Sequence, residues 1–389
     1  MDKVCLVSHQ GALHGANRGL LALIDGIRQS DSSDRFSPHV IVPEEGPIVD
    51  ELRKRRVPTA VTPFSWSAHG GDTSFLQRLR NLVARVRGRQ PGLTSVVDQI
   101  NEWDIDLIHT NTLVVDVGHY ASSGLGIPHV WYIREFANGD HGLYPDPGWH
   151  IYARRIAASD CTIAISKAVA SHLCRYRTIS NLEIVYSGVV VEAQKENIFE
   201  RCRTGVISGE SPLFMIIGRV EPSEGQDVAV RALMKLRKSH PHARLAIVGD
   251  GERGWIEQVI EEEGAEEAVD LWGYVDGPWE AYAQADVALT CSESEAMGRV
   301  TVEAMIAGTP VIGRDHAGTS ELIQHGVTGR LYDRTADDLA TEMKWILSHP
   351  TEAEEISENA WECASHQFTN EKCAEDVMKV WARALKNRE

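Results

Sequence analysis

Short apolar runs alternate with amphipathic segments along nearly the whole chain. This alternation leaves few folds open. A run too short for a helix, separated from the next by a helical pattern, reads as a strand buried on both faces of a parallel sheet. In the first half the expected strands are Val4–Ser8, His39–Pro43, Ala60–Pro63, Leu107–Asn111, His129–Arg134, Cys161–Ser166 and Glu183–Tyr186. In the second half they are Leu213–Gly218, Arg244–Gly249, Val269–Gly273, Asp286–Thr290 and Pro310–Gly313. Val191–Ser211 is polar and weakly patterned, and reads as a linker between the two sets. A last amphipathic helix begins after Phe368-Thr369-Asn370 and carries Val377, Val380, Trp381 and Leu385. The expected domains are therefore 1–190 and 191–365, with 366–389 as the closing helix.

A chain of 389 residues can bury two cores of this kind. Its net charge of −17 argues against nucleic acid as a partner, and would suit a cationic acceptor. The seven cysteines are scattered, with no C-x-x-C, which points to a reducing compartment and a cytoplasmic protein. The apolar start at Met1 is too short for a signal peptide, and no run approaches a spanning helix. No cysteine–histidine set has zinc spacing, and Asp104-Ile-Asp106 precedes a strand rather than following one, so no metal is expected. One local exception to the acidic balance is 73–97, with Arg78, Arg80, Arg85, Arg87, Arg89 and no acid. Its stretch 75–89 has helical apolar spacing. That allows a peripheral contact with an anionic membrane or, more simply, a helix packed on its sheet with a solvated basic face.

The segment from Ser292 to Ile312 concentrates chemistry. It reads as a strand end, a loop, a helix over Gly298–Ala307 and a second strand, with Gly308 and Pro310 ending the helix. Glu295 lies before the helix and Glu303 about 7 Å further along it, at roughly 1.5 Å per residue. A carboxylate accepts two hydrogen bonds at once, as a sugar diol requires, and free N–H groups at a helix start favour phosphate. Met297, Gly298, Arg299 and Val300 share that helix start. Two solvated surface glutamates would be the plain alternative.

Glu295 and Glu303, followed by Ala304-Met305 and Ala307-Gly308-Thr309-Pro310-Val311-Ile312, resemble the signature of family 4 retaining glycosyltransferases. The resemblance spans essentially the whole chain, is strongest from Phe214 to Tyr332 and weakest from Ser65 to Trp103. It implies the GT-B fold: two Rossmann-like domains facing across a cleft, with the last helix crossing back to the first. It implies that Glu295 contacts the donor sugar and Glu303 the ribose of a nucleotide-sugar, with UDP as the expected carrier, and that no bound metal or cofactor is needed. Gly218-Arg219 through Glu224-Gly225 resembles the family's donor-phosphate element, with Arg219 in place. Glu224 stands where the family has a lysine, and Arg299 is the candidate substitute base. The turn at His316-Ala-Gly318-Thr319 is similar to a loop lining the donor site, or is a plain helix cap. His14-Gly15-Ala16 follows the first strand where the family has a glycine-rich loop beneath the diphosphate.

His109 and Asn111 end one strand, and either matches a histidine the family carries near the reacting sugar. Packing is an equal alternative for His109. Arg134 and Glu135 end the next strand, as acceptor-side groups or as a structural ion pair. The sequence leaves the acceptor open among a surface glycan, a lipid-linked intermediate and a small molecule such as an aminocyclitol. It also leaves oligomeric state open. Two rivals stand beside the transferase, besides a GT-B-fold epimerase or phosphorylase that the Glu295–Ile312 block disfavours. Gly249-Asp-Gly-Glu-Arg-Gly254 matches a dinucleotide motif with Asp270 downstream, although Asp250 and Glu252 would oppose a pyrophosphate. A non-catalytic nucleotide-sugar-binding protein of the same fold is the other, suggested by Glu224.

Overall fold

The structure, a computed structural model, describes residues 1–70, 91–137, 142–203, 211–275 and 277–387. The arginine-rich stretch 75–89 therefore lies outside the described residues. The chain divides into two compact units, Met1–Gly188 with Asn370–Glu389, and Val189–Thr369.

In the first unit, β1 (Asp2–Val7), β2 (Phe36–Val42), β3 (Thr59–Val61), β5 (Leu107–Thr110), β6 (His129–Ile133), β8 (Cys161–Ala164) and β9 (Leu182–Ile184) form one sheet. Its order among the described residues is β3-β2-β1-β5-β6-β8-β9, and its pairings are parallel. The inner strands are buried on both faces, which is why Val, Ile and Leu run through them without alternation. Two short strands, β4 (Ala68–Gly70) and β7 (Leu143–Pro145), pair antiparallel to each other outside that sheet.

The helix Asn370–Lys386 closes this unit by packing on the first helix, Gly15–Gln29. Contact is close enough that a Cβ at Gly26 would lie 2.0 Å from the Asn370 carbonyl oxygen. Trp381 is fully buried and stands edge-on to Phe36 at 5.3 Å.

The second unit holds β10 (Leu213–Ile217), β11 (Arg244–Val248), β12 (Val269–Gly273), β13 (Val287–Thr290), β14 (Val311–Arg314) and β15 (Arg330–Tyr332). They form a parallel sheet of order β12-β11-β10-β13-β14-β15. Val191–Ser211, expected as a linker, contains a short 3-10 turn and the helix Lys195–Cys202, whose buried Ile198 and Cys202 attach it to this unit. The helix Arg299–Ile306 ends where Gly308, at φ +69, turns the chain. A side chain there would run into the Phe199 ring at 2.5 Å.

Each sheet has one place where the strand order reverses. In the first unit it lies between β1 and β5, in the second between β10 and β13. The loops leaving the carboxyl ends of two such strands diverge to opposite faces and open a crevice, where open α/β sheets bind ligands. Among the described residues no helix is long and apolar enough to cross a membrane.

Candidate active site

At the reversal in the first unit the loops after β1 and β5 bring together the expected residues of both. Asn111 donates from Nδ2 to the Ala16 carbonyl at 3.1 Å, tying the end of β5 to the first turn of helix Gly15–Gln29. Arg134 donates from Nε to Asn111 Oδ1 at 2.9 Å and from Nη1 to Ser187 Oγ at 2.5 Å, with its guanidinium over the Tyr132 ring at 3.8 Å. His14 is exposed and holds the cap position of the helix, beside exposed Gly15 and half-buried Ala16.

The polar side chains of this region are otherwise sealed. His109 has no exposed surface and its Nδ1 accepts a hydrogen bond from Trp381 Nε1 at 3.0 Å. Burial, then the nearby Arg134 charge, push it down to about 3, so it stays neutral. His109 is thus packed inside the unit against Trp381, with its Nε2 buried and without a hydrogen-bond partner. Glu135 turns back on its own unit, accepting from Thr112 Oγ1, the Leu113 N–H and the Arg134 N–H. It organises the loop after β5. Asn111 and Arg134 are likewise buried, at 0% and 5% exposure, and form part of the same internal network.

The reversal in the second unit is different. The loop after β10 carries Arg219, Glu221 and Glu224, and the loop after β13 carries Ser292 and Glu295. Glu293 N–H donates to the Ser223 carbonyl at 2.8 Å, which stitches the two loops together. Gly225, at φ +70, lies against the Cys291 carbonyl so closely that a Cβ would come within 2.3 Å of its oxygen. This stitching places Glu224 beside Glu295. Withdrawal from water, then Glu295 and Glu221, push the Glu224 carboxyl up to about 8, against the Ser292 hydroxyl and Arg219. Arg219 is two-thirds exposed and its Nε lies 3.3 Å from Glu221.

Gly298, at φ +89, caps the helix Arg299–Ile306. Glu303 is buried at 7% exposure, with Arg299 Nη2 3.8 Å away one turn earlier. The expected substitute base thus sits by the expected ribose carboxylate. Met297 is buried, while Val300 is half-buried and its carbonyl accepts from the Tyr282 hydroxyl at 2.9 Å. Gly318 N–H donates to the Glu295 carbonyl at 2.8 Å, and a Cβ at Gly318 would meet the backbone of Glu295, Ala296 and Met297 at 2.8 Å. Only glycine lets the helix Ala317–Leu322 support this loop. The Thr319 side chain, 2% exposed, packs where a Cβ at Gly313 would lie 2.6 Å from its methyl group. Its side chain is therefore structural.

The glycine motif at 249–254 has another explanation. Gly249, at φ +145, lies against the Gly218 carbonyl, where a Cβ would come within 1.8 Å of the oxygen. Gly251, at φ +157, lies in the same way on Val220. Val220 N–H donates to the Asp250 carbonyl at 2.9 Å and Glu252 N–H to the Val220 carbonyl at 3.1 Å. The loop after β10 occupies the space a pyrophosphate would need, and Asp270 is paired with Arg244 at 2.7 Å. The glycines admit backbone, and the dinucleotide reading has no support left.

Comparison with known proteins fits this geometry. The Glycosyltransferase Family 4 model matches residues 14–193, and the Glycosyl transferases group 1 model matches residues 200–362. The chain belongs to the family 4 glycosyltransferases. An uncharacterized glycosyltransferase of Methanocaldococcus jannaschii is 28% identical over 259 residues, 63% of this chain and 66% of that protein. The D-inositol 3-phosphate glycosyltransferase of Segniliparus rotundus is 24% identical over 304 residues, 73% of this chain and 67% of that protein. The chain thus spans about two thirds of each relative's length. In fold, the glycosyltransferase matches the Anabaena protein HepE, solved with UDP and glucose, at TM-score 0.79 and 21% identity over 98% of this chain and 100% of that one. The sucrose-phosphate synthase of Thermosynechococcus elongatus matches at TM-score 0.73 and 17% identity over the full length of both chains. The fold is GT-B, with two Rossmann-like parallel-sheet units.

Proposed function

We propose that this glycosyltransferase moves a hexosyl group from a UDP-sugar to an acceptor hydroxyl with retention at the anomeric carbon. The reading is supported by the second unit's reversal point, where open α/β sheets bind ligands and where the loop and helix after β13 carry Glu295, Glu303 and the helix start at Arg299. The binding of UDP and UDP-glucose by HepE supports the choice of carrier. In this reading Glu303 holds the ribose diol and Glu295 the donor sugar. Arg219 and Arg299, with the N–H groups at the helix start around Gly298, stabilise the charge that builds on the departing diphosphate. The acceptor oxygen bonds to the anomeric carbon as its bond to the phosphate breaks. The acceptor proton passes to the phosphate oxygen that leaves, so the chain need supply no base. Gly15, Ala16 and His14 remain the first unit's accessible candidates for contact with substrate.

The reaction so written needs no bound metal or cofactor. The seven cysteines are free thiols, as suits work in the cytoplasm. A glycan, a lipid-linked sugar or a cationic small molecule is the acceptor.

A thermal-shift panel of UDP, GDP, ADP and dTDP with their sugars tests the donor, repeated with EDTA and with Mg²⁺. Stabilisation by UDP and a UDP-sugar, independent of metal, is the expected result, and no shift with any nucleotide overturns it. Proton NMR of the product's anomeric coupling, compared with the donor's, checks retention. Binding without turnover of any acceptor class would favour the non-catalytic reading that Glu224 first suggested.

A further inference from the structure

We propose that Glu224 takes part in donor binding as a neutral carboxylic acid, donating its own hydrogen bond to a phosphate oxygen of the nucleoside diphosphate. The inference rests on the reading that the donor diphosphate sits at the second unit's reversal point.

Glu224 is the last residue of the 3-10 turn Pro222–Glu224, at the carboxyl end of β10. Glu295 arrives from the loop after β13, the neighbouring strand across the reversal. The two loops are fastened by the Glu293 N–H to Ser223 carbonyl bond and by the Gly225–Cys291 backbone contact. The acids are therefore held near each other by backbone, and neither can swing the other's loop away. Glu224 also leans over the end of β10, with Oε2 3.5 Å from where a Cβ at Gly218 would be.

Charge decides what Glu224 can do there. The groups facing it are Glu295, Glu221, the Ser292 hydroxyl and Arg219. Arg219 is mostly solvated and already lies 3.3 Å from Glu221, so it gives Glu224 little relief. A carboxylate largely withdrawn from water, on a loop fastened to one that carries a second acid, is held toward its neutral form. An arriving diphosphate adds further negative charge and drives the same way. Neutral Glu224 has an O–H to give, and a phosphate oxygen is a strong acceptor. An ionised Glu224 would repel the same ligand.

The linkage has a definite sign. Below about pH 8 Glu224 already carries its proton, and binding costs no protonation. Above that, each complex formed takes one proton from solvent, and affinity falls by up to tenfold per pH unit.

The test is calorimetric titration of the full-length protein with UDP from pH 6.5 to 9.5, in two buffers of different ionisation enthalpy. The expected result for the wild type is flat affinity to about pH 8, then a fall, with close to one proton taken up per UDP bound at the alkaline end. Glu224→Gln keeps a hydrogen-bond donor without a charge. It should bind UDP with wild-type affinity at pH 7 and lose the alkaline fall. Glu224→Ala should bind about 10- to 100-fold more weakly at pH 7, since it loses a hydrogen bond to a charged group. Comparing the wild type with Glu224→Gln cancels the ionisation of the nucleotide itself. UDP binding with no proton uptake in the wild type overturns the proposal while the functional reading stands. So does an alkaline fall that survives in Glu224→Gln. If none of UDP, GDP, ADP and dTDP binds the wild type at any pH, the proposal and the functional reading fall together. Proton uptake is read on the unmodified protein, so the result does not depend on how the variants fold.

Discussion

The two reversal points of this glycosyltransferase are built alike and finished differently. In the first unit the polar residues at the strand ends are drawn inside: Asn111, Arg134, Glu135 and His109 are all under 9% exposed and joined in part to one another, with His109 Nε2 and Arg134 Nη2 left over. In the second unit Arg219 lies mostly in solvent, Glu295 is half-buried, and Glu224 is crowded by other acids. The same topology thus yields a braced frame in one unit and an electrostatically unsettled crevice in the other. Polar groups at a strand end do not mark a binding site by position. What sets the second unit apart is access: Arg219 and Glu295 keep exposed surface that a ligand can reach, while the first unit's strand-end charges do not.

The largest expected effect belongs to the frame. Trp381→Ala removes a fully buried indole that packs on Phe36 and donates to His109. It should cost about 3–5 kcal/mol of stability, read by chemical denaturation. A loss under about 1 kcal/mol would mean that the network does not brace the unit.

Next come the crevice acids, which should behave in the opposite manner. Glu303→Ala should weaken UDP binding by about 100-fold, the worth of a lost charge-assisted hydrogen-bond pair, with little change in Tm. Glu295→Ala should leave UDP affinity nearly intact and lower kcat instead. Equal, small effects of both on binding and turnover would reduce the pair to surface carboxylates.

The sharpest separation of the two regions lies in pH, because their slopes oppose. Burial lowers His109 from 6.5 to about 3, so the unfolded chain takes up that proton first and stability falls as pH drops below 6.5. Glu224 is raised from 4.5 to about 8, so the folded chain keeps that proton and stability falls as pH rises through this window. Tm measured from pH 4 to 9 should show His109→Gln flattening the acid limb and Glu224→Gln the alkaline limb. Either variant flattening the other's limb would dissolve the distinction.

The fold was legible because buried parallel strands are nearly pure Val, Ile and Leu, and segments such as Leu245–Val248 can be little else. The three-residue strands β4, β7 and β15 were missed because so short a run has no period, and Arg330 opens β15 with a charge. Lys195–Cys202 read as linker because its sequence, KENIFERC, shows few apolar positions. At the site, Glu295 and Glu303 stood out because one short stretch holds both. The role of His109 was hidden because its partner, Trp381, lies 272 positions away. The loops that carry Glu224 and Glu295 are joined only because β10 and β13 are neighbours in the sheet, though two strands separate them in the chain. Distant pairing of that kind leaves no local pattern to read.

The closing helix has a consequence for how the protein is made. Residues 189–369 form one unbroken stretch, so the second unit has all its strands once Tyr332 has emerged from the ribosome. The first unit starts earlier yet finishes later. Its first helix keeps the face around Gly26 uncovered until Asn370–Lys386 arrives to pack on it. During synthesis the half that begins the chain is the half that waits, with that face open for as long as the other half takes to be translated.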